Sequence, residues 1–233
     1  MGNDNPFQFI LVPAGAEYQV VHRALRHWPE YPRIVPIPAG PQAVQAFLAT
    51  WEERQSLQAA SILLLGLGGS LSPHHGVGDG VLLQKVWDES KGQEAEGDEA
   101  DATLTQWIAQ RLPSVTMGTG VMSDRVVTSA AAKRQLRDQY GADVVDMESA
   151  ALLKALPQCQ IAILRVISDD WEHDLPDIST AISPAGAIKA VPLALSCLRQ
   201  PIAALRLIRG AIKGLKALGR MTAVLFQSGP IKC

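Results

Sequence analysis

The stretch from Val144 to Asp170 constrains the fold of this chain more than any other. It reads VVDMESAALLKALPQCQIAILRVISDD, in which a short apolar run leads through Glu148 into a helix-like segment and a second apolar run ends on Ser168-Asp169-Asp170. Two apolar runs joined by a helix predict a strand–helix–strand unit, the building block of a parallel sheet. Ligands bind outside the carboxyl ends of such strands, so Glu148 and Asp169 could contact one ligand. The alternative for each carboxylate is a helix cap or a loop charge.

The composition is that of a globular protein. The chain has 233 residues, of which 47% are hydrophobic and 19% charged, enough for one full-size domain. No run approaches the ~18 apolar residues of a membrane span, and the first residues lack the order of a signal peptide. Cys159, Cys197 and Cys233 are scattered without metal-ligand spacing, which indicates reduced thiols and a cytoplasmic location.

The charge is distributed unevenly along the chain. The net charge is −2, but the segment from Ile178 to the end contains no Asp or Glu and eight Lys or Arg, so residues 1–177 carry −2 minus 8, or −10. Such asymmetry often marks a surface that meets an anionic partner. We divide the chain into a first domain at 1–200 and a basic amphipathic helical extension at 201–233.

The predicted C-terminal helix has two different faces. Apolar residues recur three and four apart and the cations lie between them. This pattern predicts peripheral contact with an anionic membrane. The alternative is a helix packed on the body of the protein or on a partner subunit. Another mostly apolar stretch, from Ala185 to Leu198, predicts a helix interrupted at Pro192.

Two further segments lie near predicted strand ends. Phe7 to Pro13 predicts a first strand, and Glu17 follows it in the first turn of a helix, where the helix dipole alone would favour an acid. Ser61 to Leu71 predicts a buried strand that ends in glycines, and Val-Gly-Asp follows at 77–79. Glycines after a strand let the backbone approach a ligand closely, although glycines also simply form turns.

These motifs together resemble the nucleoside phosphorylase superfamily, in particular its methylthioadenosine/S-adenosylhomocysteine nucleosidase branch. The resemblance lies in DMESAA, RVISD, the Gly-x-Gly-Gly-x-Leu-x-Pro run from Gly66 and the Val-Gly-Asp segment. It implies an α/β fold, a three-layer sandwich around a central twisted, mostly parallel but mixed sheet. It also implies a homodimer or higher homo-oligomer, no metal and no cofactor apart from phosphate as a co-substrate.

The resemblance assigns a role to each candidate residue. Asp169, held by Ser168, protonates the departing purine, for which burial would have to raise its pKa. Glu148 and Met147 hold the ribose hydroxyls, and Glu17 with Arg165 places the attacking water. The remaining candidates border the purine or the water side of the pocket: Val126, Val127, Gly66, Leu67 and Gly68.

The chain also departs from the family pattern. Leu67 stands where the family usually has a serine, and no cation flanks the glycine run from Gly66 to Leu71 to bind phosphate. These departures favour hydrolysis over phosphorolysis. Val126 and Val127 follow a segment that lacks the family's glycine and aromatic residue, and plain core valines are the alternative for them.

The sequence thus predicts a nucleosidase or nucleoside phosphorylase that releases adenine from an adenosine-type nucleoside by attack of water or phosphate. Methylthioadenosine, S-adenosylhomocysteine and adenosyl-hopane are the candidate substrates. The last is favoured because Leu175-Pro176 and the basic tail resemble the hopanoid-biosynthesis-associated phosphorylase subgroup. The alternative is a non-catalytic nucleoside-binding or interaction protein on the same fold. No nucleic-acid-binding module is present in the sequence.

Overall fold

The fold is described by a computed structural model for residues 5–28, 31–51, 59–176 and 199–227. Cys197, Cys233 and the helix predicted at Ala185 to Leu198 lie outside these residues.

The described chain alternates strands and helices. The strands are β1 (Phe9–Pro13), β2 (Arg33–Ile37), β3 (Ser61–Ser70), β4 (Gly80–Asp88), β5 (Asp98–Glu99), β6 (Thr116–Met122), β7 (Val144–Asp146) and β8 (Gln160–Asp169). The helices are α1 (Ala16–Leu25), α2 (Pro41–Thr50), α3 (Ala102–Arg111), α4 (Ala130–Tyr140), α5 (Ser149–Ala155) and α6 (Pro201–Leu225). A single 3-10 turn, Glu89–Lys91, follows β4.

All the strands belong to one mixed sheet. The order is β2-β1-β3-β7-β6-β4-β5, and β8 pairs with both β3 and β4, so that β3, β7, β6, β4 and β8 form a closed ring. β1 is parallel to β2 and β3, whereas β4 runs antiparallel to β8. Apolar clusters on both faces of the sheet pack against α2 and α5 on one side and α1, α3 and α6 on the other, which gives the predicted three-layer α/β fold.

The strand–helix–strand unit is present, but its expected parallel pairing is wrong. β7, α5 and β8 follow one another as predicted. β8 lies parallel to β3, whereas β7 lies antiparallel to the end of β3, and no pairing joins β7 to β8 within the described chain. β7 instead lies parallel to β6, and it pairs with β3 only at Gly69 and Ser70, beyond the register shift at Gly68/Gly69.

Helix α6 contacts the body along its whole length but differs between its two halves. Leu218, Met221 and Leu225 in its second half are buried in the core cluster that includes α1 and α3. In its first half Gly210 and Gly214 face the body, while large apolar side chains on another face are exposed: Ile202, Leu205, Ile208 and Ile212. The apolar residues of this helix therefore do not share one environment. Leu218 in the second half lies in the core, whereas the four apolar residues of the first half are exposed. Among the helices of the described ranges, none is both long and apolar enough to cross a membrane.

Candidate active site

The end of β3 brings the predicted site residues together. Gly69 pairs with Val145 of β7 on one side and with Asp169 of β8 on the other. A Cβ at Gly68 would lie 2.7 Å from Val144 Cγ1, and one at Gly69 would lie 3.0 Å from Asp169 Oδ2. Glycine is therefore required for β7 and β8 to approach β3 this closely, and the carboxyl ends of both strands meet at one place.

A cavity of about 200 Å³ opens at this place. Residues from seven parts of the chain line it: Pro13, Glu17, Ala39, Leu67, Gly68, Gly69, Arg125, Val126, Val127, Val145, Asp146, Met147, Glu148, Ser168, Asp169 and Leu175. Of the predicted site residues, all but Gly66 and Arg165 belong to this lining.

Arg165 lies beneath the cavity and organises two of its carboxylates. Its side chain is fully buried, and Nε and Nη2 lie 2.7 and 2.6 Å from Asp146 Oδ2, while Nη2 lies 3.0 Å from Glu148 Oε2. Ser149 Oγ donates to Asp146 Oδ1 at 2.6 Å. These carboxylates raise the pKa of Arg165 despite the opposing effect of burial. Such a network fixes the guanidinium and both carboxylates in one geometry.

The remaining guanidinium nitrogen of Arg165 points toward the opposite side of the site. Nη1 is buried and has no hydrogen-bond partner within the residues that the structure describes. A Cβ at Gly66 would overlap this atom and would lie 3.0 Å from Glu17 Oε1. Gly66 therefore leaves the space in which Arg165 and Glu17 approach each other, which is its structural role beside the cavity.

Glu148 is held from two directions. Gly40 N donates to Oε1 at 3.2 Å, and Arg165 Nη2 donates to Oε2. Burial raises the pKa of Glu148, and the positive charge of Arg165 opposes this shift. Met147 lines the cavity beside it, with its Cε 3.8 Å from the position of a Cβ on Gly40. The carboxylate is thus fixed in place within the cavity lining.

Glu17 lines the cavity on the side of β3. Leu67 N donates to its Oε1 at 2.6 Å. Burial raises the pKa of Glu17 from 4.5 to about 7; the Leu67 N–H opposes this shift, Glu148 adds to it and Arg165 opposes it. A carboxylate with a pKa near neutrality is suited to act as a general base.

Asp169 is held by two side chains. Ser168 Oγ donates to its Oδ1 at 2.6 Å, and Lys133 Nζ forms an ion pair with its Oδ2. Lys133 is fully buried in α4 and also donates to the carbonyl oxygen of Asp170. The structure thus places a buried ammonium directly against the carboxylate of Asp169.

Apolar groups form the wall opposite the carboxylates. Val126 and Val127 line the cavity together with Leu175, whose N–H donates to Thr128 O at 2.7 Å. Arg125 stands at the rim, mostly exposed, and pairs with Glu89 at 3.1 Å.

Sequence reasoning missed Asp146, Lys133 and Gly40. Asp146 immediately precedes the Met-Glu pair, and its position at a strand end was the available signal. Lys133 lies at helical spacing with the buried residues Leu136 and Tyr140 on one face of α4, an unusual place for a lysine. Gly40 had no such signal, because its contact with Glu148 spans 108 positions of the chain.

The described residues contain no group of three or more His, Cys, Asp or Glu side chains arranged to hold a metal ion.

Comparison with known proteins agrees with the fold. The sequence model of the family described as phosphorylase superfamily matches residues 33–183. No curated protein matches the chain at a significant level.

Solved structures are similar to this one over nearly the whole chain. The 5'-methylthioadenosine/S-adenosylhomocysteine nucleosidase of Neisseria meningitidis, in complex with methylthio-immucillin-A, has a TM-score of 0.67 at 15% identity, with 95% of this chain and 98% of that chain covered. The corresponding Campylobacter jejuni nucleosidase gives 0.60 at 15% identity, covering 93% and 99%. The futalosine hydrolase of Helicobacter pylori gives 0.63 at 16% identity, covering 91% and 95%. At these identities the similarity establishes the fold.

Proposed function

Because this chain belongs to the phosphorylase superfamily, we propose that it cleaves the N-ribosidic bond of an adenosine-type purine nucleoside and releases adenine. One observation carries the proposal: Glu17, Glu148 and Asp169, from three separate elements, line one cavity at the glycine-rich end of β3. The similar solved structures include nucleosidases that act on methylthioadenosine and S-adenosylhomocysteine, which agrees with this chemistry.

The reaction places different demands on the three carboxylates. As the bond between ribose and purine breaks, its electron pair moves to the purine, which takes up a proton through Asp169. The sugar becomes cationic, and Glu148, which would accept hydrogen bonds from the ribose hydroxyls, favours that charge. Glu17 removes a proton from the attacking water as the new C–O bond forms. Ring stacking against Val126 and Val127 would orient the base.

We propose water rather than phosphate as the nucleophile. The one cation in the cavity lining, within the chain as described, is Arg125, and it is paired with Glu89 at the rim. Arg165 is already paired with Asp146 and Glu148. Leu67 offers its backbone N–H to Glu17 and has no hydroxyl to bind phosphate.

For the substrate we propose an adenosine with an apolar 5'-substituent, such as methylthioadenosine or the larger adenosyl-hopane; S-adenosylhomocysteine is the polar alternative. The apolar lining of the cavity, which includes Leu67, Met147 and Leu175, supports this class. A cytoplasmic homodimer or higher homo-oligomer is the proposed form of the enzyme, and size-exclusion chromatography with light scattering tests it.

The exposed face of α6 supports contact with an anionic membrane. Ile202 is 76% exposed, and Leu205, Ile208 and Ile212 about half exposed, along one stripe of the helix. Five cations lie beside this stripe and α6 contains no acid: Arg206, Arg209, Lys213, Lys216 and Arg220. Two copies packed across this face would oppose like charges, whereas an anionic lipid surface would complement them.

The decisive experiment incubates the protein with methylthioadenosine, S-adenosylhomocysteine and an adenosine bearing a long 5'-alkyl group, with and without phosphate. We expect free adenine and free reducing sugar at the same rate with or without phosphate. Formation of the corresponding 5-substituted ribose 1-phosphate would instead establish phosphorolysis. Tight binding of all three nucleosides without release of adenine would replace the proposal by the non-catalytic alternative.

A further inference from the structure

Lys133 occupies a position that is unusual for a lysine. It lies in α4, whose buried face also carries Ala130, Leu136 and Tyr140, and its side chain has no exposed surface. A buried ammonium is retained only where charged and hydrogen-bonding partners compensate for its loss of water. Here those partners are the carboxylate of Asp169 and the carbonyl oxygen of Asp170.

The other charged groups near this pair are engaged elsewhere. The Asp170 carboxylate accepts from His173 N at 2.9 Å and lies 2.9 Å from its ring Nδ1. Asp174 accepts from the backbone N–H of Ala130 at 2.8 Å. Arg137, on the same helix, lies over the ring of Trp171. The counter-charge of Lys133 is therefore supplied by Asp169.

This pairing changes the source of the proton in the proposed reaction. An ammonium in contact with a carboxylate favours the ionised form of that carboxylate. Ser168 Oγ donates to the other oxygen of Asp169. The buried ammonium of Lys133 therefore offers a transferable proton in direct contact with Asp169.

We propose that Lys133 is the proton source for the departing purine and that Asp169 relays this proton. The inference rests on the proposed function. As the ribose–purine bond breaks, an N–H bond of the Lys133 ammonium breaks and its proton moves to Asp169, while a carboxyl proton moves to a ring nitrogen of the purine. Lys133 is left as a neutral amine, and Glu17 holds the proton lost by the attacking water. Transfer of that proton to solvent and uptake of one by Lys133 restore the resting state.

Two variants and two leaving groups test this relay. Lys133→Met keeps the length of the side chain but carries no proton, and Lys133→Arg keeps the charge but does not release its proton. Each is assayed with methylthioadenosine, whose purine needs a proton to leave, and with p-nitrophenyl riboside, whose nitrophenolate leaves without one. Lys154→Met, which removes a lysine paired with Asp88 outside the cavity, is the matched control.

We expect both Lys133 variants to lose roughly 100-fold or more in adenine release, with cleavage of p-nitrophenyl riboside changed only a few-fold. Full activity of Lys133→Arg would show that the lysine only positions Asp169, and equal loss with both substrates would show a structural role. Faster adenine release by Lys133→Met would also overturn the relay. Thermal unfolding of each variant establishes that it is folded. If the wild-type protein releases no adenine, the proposed function itself fails; if it does and Lys133→Arg matches it, only the relay fails.

Discussion

Replacement of Glu17 by Gln tests the role of the carboxylate with the least change in shape. The amide oxygen of Gln can still accept the hydrogen bond from Leu67 N, which is 2.6 Å from Glu17 Oε1. The amide cannot accept a proton from water at neutral pH. We therefore expect Glu17→Gln to lower kcat by roughly 100- to 10,000-fold, the range typical of a lost general base, while methylthioadenosine still binds.

The pH dependence of the wild-type enzyme follows from the same carboxylate. Burial raises the pKa of Glu17 to about 7, and the base acts only when ionised. Below neutrality kcat/KM should fall about tenfold for each pH unit, so that at pH 5 it reaches only about 1% of its plateau. A plateau that extends down to pH 5 would contradict this role for Glu17.

The free energy of unfolding should fall as the pH rises, whereas the activity should increase. The pKa of Glu17 is about 7 in the folded protein and 4.5 as the ordinary value, so the folded state binds this proton more tightly than the unfolded state. The contribution of the Glu17 proton to the free energy of unfolding is fully present below pH 4.5. It is lost as the pH rises through 7. At ~1.4 kcal/mol per pKa unit the loss is at most about 3.5 kcal/mol. Solvent screening makes it smaller, because the Glu17 side chain is partly exposed.

Urea unfolding at pH 5 and pH 8 measures this loss. Glu17→Gln should show a smaller decrease in the free energy of unfolding between these pH values than the wild-type protein. Glu96→Gln, which changes an exposed carboxylate in the loop after β4, is the control and should behave like the wild type. An unchanged pH dependence in Glu17→Gln would refute the assignment of the raised pKa to this group.

Three further predictions concern the other residues of the proposal. Asp169→Asn should lower adenine release by roughly 100-fold or more and leave a folded protein, and near-normal turnover would remove Asp169 from the mechanism. Glu148→Gln should abolish catalysis and also lower the melting temperature, because Arg165 loses one of its two buried counter-charges; a crystal structure with adenosine in which the ribose hydroxyls lie far from Glu148 would contradict its role. The protein should sediment with anionic liposomes, and less strongly at high salt. Ile208→Asn should weaken this binding, whereas Val224→Asn, outside the exposed stripe, should not. Absence of sedimentation at low salt would refute membrane contact.

The sequence was informative where a residue lies beside the strand end that positions it. Glu148 and Asp169 follow apolar runs directly, and Glu17 follows β1 by a short turn. We expected them to meet because the carboxyl ends of parallel strands lie at a common edge. They do line one cavity, although β7 runs antiparallel to β3 and therefore to β8. The glycines of β3 were predicted to let the backbone approach a ligand. The structure shows a further role that was not predicted, because β7, β8 and the Arg165 guanidinium pack against these glycines.

The contacts that depend on the closed ring of strands could not be predicted from the local sequence pattern. The direction of β7 follows from its pairing with β6 and with the displaced end of β3, which no feature of VVD indicates. Lys133 is one of several cations on α4 and does not stand out by residue type. Only its spacing from Leu136 and Tyr140 indicates that it lies on the buried face of the helix. The second half of α6 similarly carries both cations and core residues, so periodicity alone did not separate its packed face from its exposed one. Removal of everything after Leu198 would therefore uncover the core, and single substitutions on the exposed stripe are the sharper test of membrane contact.

The net charge of the site favours water over phosphate as the nucleophile. Four carboxylates, Glu17, Asp146, Glu148 and Asp169, face two buried cations, Arg165 and Lys133. With Glu17 ionised the site carries a net negative charge, which stabilises a sugar that becomes cationic in the transition state. The same charge opposes a phosphate anion, because each buried cation is already held by carboxylates. Phosphate should therefore neither accelerate adenine release nor compete strongly with the nucleoside, and acceleration by phosphate at constant ionic strength would show that this account of the electrostatics is wrong.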